Sequence, residues 1–505
     1  VRDAILTLDL GTTACKAAVF DLRAQPLAGA AVEYPTAHPR PGWAEQDPQD
    51  WWVAATTASR RALDAAGSVR VVAVGLSSQR EGVVPVDEAG TALGPCIIWM
   101  DRRAAAEAAA LGERLGEQLR ARTGLRADPT FTASRLLWLR RHQPDLWGRV
   151  RYFLQPRDFL YHRLTGVFAT DPTLASRTLL WDLRRGAWWP EAVEAVGADL
   201  SRFPPVYPSS AAPGTVRASA ADAVGVPAGV PVALGAGDRA CEALGLGVEG
   251  ARAMVSTGTT TNVSVARPEV PAALGQGVLC SAHCVPGQYL LEAGLGASGA
   301  ILRWLRDRVL AGRLDYAALD ALAQDSPPGA QGLLLLPFFA GARAPRWNPS
   351  ARGVWFGLSL SHGLGDLARS ILEGVAYEVR ACLEEFAGLG VSVDVLVAAG
   401  GAARSGLWRE ITAHVTGRPV ALPAHTEAAS VGAMLLAARA VGAVSDVVAA
   451  ARAANPVVGT ASPDPSQVAL YQRGYALYAA LYAAVAPLYP RLSWGEDPQA
   501  GGPGG

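Results

Sequence analysis

One lysine occurs among the 505 residues, Lys16, and arginine supplies every other permanently cationic side chain. Lys16 closes the run Asp9-Leu10-Gly11-Thr12-Thr13-Ala14-Cys15-Lys16. The backbone N–H groups of Gly11, Thr12 and Thr13, two hydroxyls and one ammonium form a donor set that would cradle phosphate oxygens. Asp9, at the end of the preceding strand, would hold a hydrated Mg²⁺ beside them. Taken alone, Asp-x-Gly-Thr-Thr describes a plain hairpin turn equally well. A second run of this kind is Ser256-Thr257-Gly258-Thr259-Thr260-Thr261. Gly258 and Thr259 would meet terminal phosphates from the opposite side, although threonine is common in any strand. Between the two runs lies Gly235-Ala236-Gly237-Asp238, followed by an alanine-rich helix from Arg239. A carboxylate there can cap the helix and project into a cleft, and a general base must be held in some such way.

The elements that must position these groups alternate. Residues 4–8 and 17–20 read as strands around the first turn, 71–76 as a buried strand and 83–87 as another. Residues 104–121 and 133–141 read as helices, so the pattern is that of α/β layers. After residue 250 the opening returns: a strand at 254–255, a Gly/Thr turn, then strands at 263–265, 277–282 and 288–292. Two similar halves, each with a phosphate-sized turn, imply a nucleotide in the cleft between them. The boundary falls at 245–252, where Gly245, Gly247 and Gly250 loosen the chain and would act as a hinge. Residues 1–248 then carry the first phosphate turn, the acceptor site and Asp238, and residues 249–490 bind the nucleotide. Residues 491–505 read as a disordered tail. A buried strand at 395–399 breaks at Gly400-Gly401 before a helix near Leu407, so bare backbone can approach an adenosine ring. Gly296 and Gly299 would line the same pocket or serve helix packing.

Composition narrows the class. The formal net charge is zero, which argues against nucleic acid as the main partner. No apolar run approaches the roughly 20 residues that span a bilayer, and no leader precedes the first strand. Six cysteines in so long a chain make no disulfide framework, which points to the cytoplasm. Cys280, His283 and Cys284 hint at a metal, but without a second ligand pair they read better as a strand end.

The stretches Gly353-Val354-Trp355-Phe356-Gly357-Leu358, His362 and Asp366-Leu367-Ala368-Arg369-Ser370-Ile371-Leu372-Glu373-Gly374 closely follow the C-terminal signature of the FGGY carbohydrate kinases. Phe131-Thr132-Ala133-Ser134-Arg135-Leu136-Leu137-Trp138 resembles the N-terminal signature, with Arg135 where Lys is usual. The resemblance runs from about residue 4 to about residue 490. It implies two actin/hexokinase-like (ribonuclease H-like) domains around a cleft that binds ATP and Mg²⁺. It also implies a residue-by-residue site. Asp9 looks like the metal-proximal carboxylate, and Thr12, Thr13 and Lys16 look like phosphate contacts. Gly258 and Thr259 resemble the second phosphate turn, Gly400, Gly401 and Ser405 the adenosine motif, and Asp238 the base that deprotonates the sugar hydroxyl. Arg80, Glu81, Trp99 and Arg239 fall in acceptor-lining segments. The Arg80-Glu81 pair resembles glycerol kinases, whereas Arg239 after the base and Gly341-Ala342-Arg343-Ala344-Pro345-Arg346-Trp347 resemble pentulose kinases more. A xylulose-type ketopentose is the expected acceptor, glycerol or another short polyol the alternative. An actin-like ATPase switch without a sugar acceptor remains a third reading, and a homodimer stays open.

Overall fold

The computed structural model describes residues 1–275 and 277–492. Most of the tail expected to be disordered therefore lies outside the described residues. Arg491 instead closes a 3-10 helix, Ala486–Arg491.

The first half is built on a six-stranded sheet. Its strands are β1 (Arg2–Leu10), β2 (Ala14–Asp21), β3 (Pro26–Glu33), β4 (Val69–Ser78), β5 (Gly214–Thr215) and β6 (Pro231–Gly237), in the order β5-β6-β4-β1-β2-β3. β1 pairs antiparallel with β2 and parallel with β4, and β4 pairs parallel with β6. β1 and β4 are central, so both faces are covered and they read as near-continuous apolar runs. Helix α1 (Pro48–Ala66) lies against this sheet through Trp51, Ala54, Ala55, Ala58 and Ala62, which recur at helical spacing. Three further helices belong to the long insertion between β4 and β6: α2 (Ala105–Thr123), α3 (Thr132–His142) and α4 (Pro156–Thr165). Helix α5 (Asp238–Gly245) follows β6 directly.

The second half repeats the plan with β7 (Arg252–Thr257), β8 (Thr261–Arg267), β9 (Leu279–Ala282), β10 (Tyr289–Leu295), β11 (Val395–Ala399), β12 (Val420–Pro423) and β13 (Val457–Ala461). The order is β9-β10-β8-β7-β11-β12-β13, with β7 antiparallel to β8 and parallel to β11. Helix α6 (Gly299–Trp304) follows β10, and α7 (Leu364–Gly388) carries the second family-like signature. Helix α8 (Gly406–Thr416) connects β11 to β12, and α9 (Ala429–Ala440) follows β12. Both sheets thus share a core in which an antiparallel meander is extended by two parallel strands, the ribonuclease H-like order expected of each half.

The halves interlock through α5 and α9, the helices that follow the last parallel core strand on each side. A Cβ on Gly432 would lie 2.0 Å from the Cys241 carbonyl oxygen, one on Gly245 2.1 Å from that of Ala428, and one on Gly75 2.3 Å from that of Ala433. Only glycine permits backbones to approach so closely. Gly245 is therefore a packing residue inside α5 and not a loosened link. Positive φ angles of 61° at Gly247 and 63° at Gly250 confine the turn to the residues after the helix.

Candidate active site

Asp9 stands opposite Lys16 across the β1–β2 pair. Lys16 is thus a strand residue, and the turn consists of Gly11, Thr12 and Thr13. Its exposed flank meets the loop before α9, where Glu427 pairs with the Lys16 ammonium. Thr12 is held twice: its carbonyl accepts from Gln46 Nε2 at 2.6 Å and its hydroxyl from Trp99 Nε1 at 3.0 Å. Asp9 Oδ1 is enclosed and has no hydrogen-bond partner. Burial, opposed by the neighbouring Ser77 and reinforced by the charge of Asp238, pushes the Asp9 carboxyl up to about 6. An enclosed carboxylate oxygen without a donor, beside a second carboxylate, suits a cation.

Asp238 is the first residue of α5, and Gly237 takes the cap position expected of it. Its side chain is 36 % exposed, and Oδ1 accepts from the Arg239 backbone N–H at 2.7 Å and faces Arg80 Nε at 3.3 Å. The carboxylate opens onto a cavity of about 130 Å³ whose walls come from both halves.

Arg80 and Glu81 both reach this cavity because the chain leaves β4 at Ser78 and Glu81 adopts a left-handed φ of 67°. Such backbone costs on the order of 1–3 kcal/mol and persists only where neighbours fix it. Here the Glu81 N–H donates to Gln155 Oε1 at 2.9 Å, and its carbonyl accepts from Arg135 Nη1 at 2.6 Å and Thr132 Oγ1 at 3.1 Å. Arg135, the departure from the usual Lys, is thereby a clamp on the Arg80–Glu81 loop. Arg80 makes a bidentate pair with Glu292 of β10, at 2.7 and 2.9 Å, which spans the two halves. Glu81 accepts from Arg177 Nε at 2.6 Å. Burial disfavours the Glu292 anion, but Arg80 and then Arg177 outweigh it and hold its carboxyl well below the usual range. Arg239 donates to Glu242 at 2.8 Å and to Ser256 Oγ at 3.1 Å, so it is committed to protein partners while it lines the cavity.

The second turn, between β7 and β8, is braced by the start of α6. The carbonyls of Gly258 and Thr259 accept from Gly299 and Ala300 at 3.0 and 3.2 Å, and a Cβ on Gly299 would sit 2.4 Å from the Gly258 oxygen. Gly296 lies instead against the Arg343 stem. Neither glycine lines the small cleft beside the Gly400-Gly401 turn, whose walls include Thr257, Ala399, Ala402 and Arg409. Gly400 has φ 73° and would place a Cβ 2.6 Å from the Thr257 oxygen, so that turn abuts the second phosphate turn. The Ser405 hydroxyl caps α8, accepting from the Trp408 N–H at 3.1 Å.

Sequence reasoning missed Arg177, Glu292, Arg343 and Glu427. The one available signal was a charge inside or closing an apolar segment, as at Glu292. Cys280 lies inside β9, which ends at Ala282 just before His283 and so makes the expected strand end; burial pushes the Cys280 thiol up to about 12 and holds His283 down at about 4. Among the described residues no group of three or more His, Cys, Asp or Glu side chains could hold a metal ion, and no helix is long and apolar enough to cross a membrane.

Residues 4–245 match the N-terminal domain of the FGGY family of carbohydrate kinases, and residues 253–441 its C-terminal domain. A xylulose kinase of Escherichia coli strain K12 is 32% identical over 418 residues, 81% of this chain and 84% of that protein. A glycerol kinase of Alkalilimnicola ehrlichii is 36% identical over 456 residues, 87% of this chain and 90% of that protein. The crystal structure of a xylulose kinase from Rhodospirillum rubrum superposes with a TM-score of 0.89 at 32% identity, covering 97% of this chain and 100% of that one.

Proposed function

We propose, for a chain that belongs to the FGGY family of carbohydrate kinases, that its acceptor is a ketopentose of the xylulose type. ATP is the phosphoryl donor, and the product is the ketose phosphate with ADP. Membership of this family removes the sugar-independent ATPase switch. The observation that carries the proposal is the Asp238 carboxylate, open to an enclosed polar cavity that both halves wall.

Asp238 takes the proton of a terminal hydroxyl as its oxygen attacks the γ-phosphorus in line with the departing ADP oxygen. Arg80, at 3.3 Å, fixes the carboxylate. Residues 1–248 contribute Thr12, Thr13 and Lys16 to one side of the terminal phosphates. Residues 249–490 contribute Gly258 and Thr259 to the other, and the Gly400-Gly401 turn lies under the adenosine. Asp9 would hold Mg²⁺, which supplies charge neutralisation at the phosphates. Glu81 and Arg80 bind acceptor hydroxyls, and the Trp99 ring lies against the carbon chain. Ser405 serves the site indirectly, by starting α8.

A coupled assay that compares kcat/KM for D-xylulose and glycerol tests the acceptor. The ketopentose is expected to be preferred, because the cavity offers more fixed donors and acceptors than three hydroxyls can satisfy. The reverse order would assign the acceptor to glycerol, as the Arg80-Glu81 pair alone suggests.

A further inference from the structure

Three of the four guanidinium groups that line the cavity each hold a carboxylate partner: Arg80 holds Glu292, Arg177 Glu81 and Arg239 Glu242. Arg343 is the fourth, and among the described residues its guanidinium has no hydrogen bond and no ion pair. Its position is nonetheless built. The Arg343 carbonyl accepts from the N–H groups of Arg346 and Trp347, both at 2.8 Å. The stem passes the bare face of Gly296, where an added Cβ would stand 3.5 Å from Cγ and Cδ. A Cβ at residue 296 would make ordinary van der Waals contact with the stem, so Gly296 flanks Arg343 and steadies its stem without having to be glycine.

Arg343 enters the cavity from the segment that also brings Ala344 and Trp347, whereas Asp238 enters from the start of α5. The charges that bear most on Arg343 are those of Arg102, Asp128, Arg177 and Glu81, and Asp238 is not among them. Burial and the Arg102 charge both disfavour its cation. The Arg343 guanidinium is half-buried at the cavity wall, and with no protein acceptor its N–H groups are free to donate to a ligand oxygen.

We propose that Arg343 is the specificity-determining residue of the site, donating to oxygens at the end of the acceptor remote from the hydroxyl that Asp238 deprotonates. This rests on the kinase assignment above and adds the acceptor's length to it. A three-carbon polyol spends its hydroxyls at Asp238, Arg80 and Glu81 and has none left for Arg343. A polyhydroxy acceptor of four or five carbons does, and its extra oxygen meets a pre-oriented charged donor. Arg239, the arginine that the sequence places next to the base, is anchored through Nη1 to Glu242 and Ser256, whereas Arg343 has no such anchor.

The test is a ladder of glycerol, erythrulose and D-xylulose on the wild type, Arg343→Gln and Arg343→Lys. Each is read by coupled turnover and by tryptophan-fluorescence titration without ATP, since Trp99 and Trp347 line the cavity. Arg343→Gln should weaken D-xylulose roughly ten- to a hundredfold, the usual range for a lost hydrogen bond to a charged group. Erythrulose should lose less and glycerol less than about twofold, with partial recovery in Arg343→Lys and an unchanged KM for ATP. An equal loss on all three acceptors, no loss on any, or a raised KM for ATP overturns the proposal. So does a wild type that binds glycerol alone or none of the three. Binding without turnover would instead sink the kinase assignment, and the titration would still decide Arg343.

Discussion

The two halves share one strand order but place their chemistry differently. The first half opens its core between β4 and β6 and inserts α2, α3 and α4, whose loops hold Arg80, Glu81 and Trp99. The second half keeps β11 and β12 close together, joined through α8, and inserts instead between β10 and β11. Its insertion sends Arg343 back to the cavity, while its β10 supplies Glu292. The turns differ too. The first combines two threonines with Asp9 and Lys16, whereas the second has hydroxyls and backbone only. Even the helices after the last parallel core strand are related: α5 begins with Asp238, and Glu427 stands just before α9. The first acid faces the acceptor cavity and the second pairs with Lys16 across the halves. A duplicated scaffold thus offers equivalent positions, and the inserted segments decide which of them line the cavity.

The largest expected effect separates those two acids. Asp238→Asn should retain ATP binding and lower kcat by roughly 10²–10⁴-fold, the range for a positioned base. Glu427→Gln should leave kcat within about tenfold, because a half-exposed ion pair contributes little. Comparable losses in the two variants would mean that both halves supply catalytic acids. Next, Glu292→Gln should cost about 1–3 kcal/mol in denaturant unfolding, since the buried Arg80 loses its bidentate partner and keeps only Asp238 and Glu81. A loss confined to activity, with stability intact, would show that the Arg80–Glu292 bridge does not hold the halves together.

Gly432→Ala should cost about 1–3 kcal/mol, an overpacking penalty, because the new methyl meets the Cys241 backbone. A normal melting temperature would mean that α5 and α9 separate readily. Lys16→Ala should lower kcat by roughly tenfold or more with acceptor KM nearly unchanged, as the phosphate contact proposed for its ammonium requires. Thr259→Val should behave alike but more weakly, and a raised acceptor KM in either would put that turn on the wrong side of the cleft. Smallest of all, Ser405→Ala should cost about 1 kcal/mol as a lost helix cap. A large rise in KM for ATP would restore a direct adenosine role to its hydroxyl.

Local sequence was sufficient for everything carried by consecutive residues. The strand–turn–strand units around Gly11 and Gly258, their repetition, the break at Gly400 and the strand end at Asp238 all follow from periodicity and turn chemistry, which act over a few residues. The family signatures fixed the kind of fold for the same reason. What only the tertiary structure decided is pairing across long separations. Arg80 meets Glu292, Glu81 meets Arg177 and Lys16 meets Glu427 because two sheets and two glycine-faced helices bring them together. A buried charge must find its counter-ion wherever the fold puts one, and nothing in the spacing of Arg177 or Glu292 names the partner. Arg239 and Arg343 make the point in one cavity. Adjacency to the base drew attention to Arg239, yet Glu242 and Ser256 occupy it, and the uncommitted donor arrives from more than a hundred residues further along the chain.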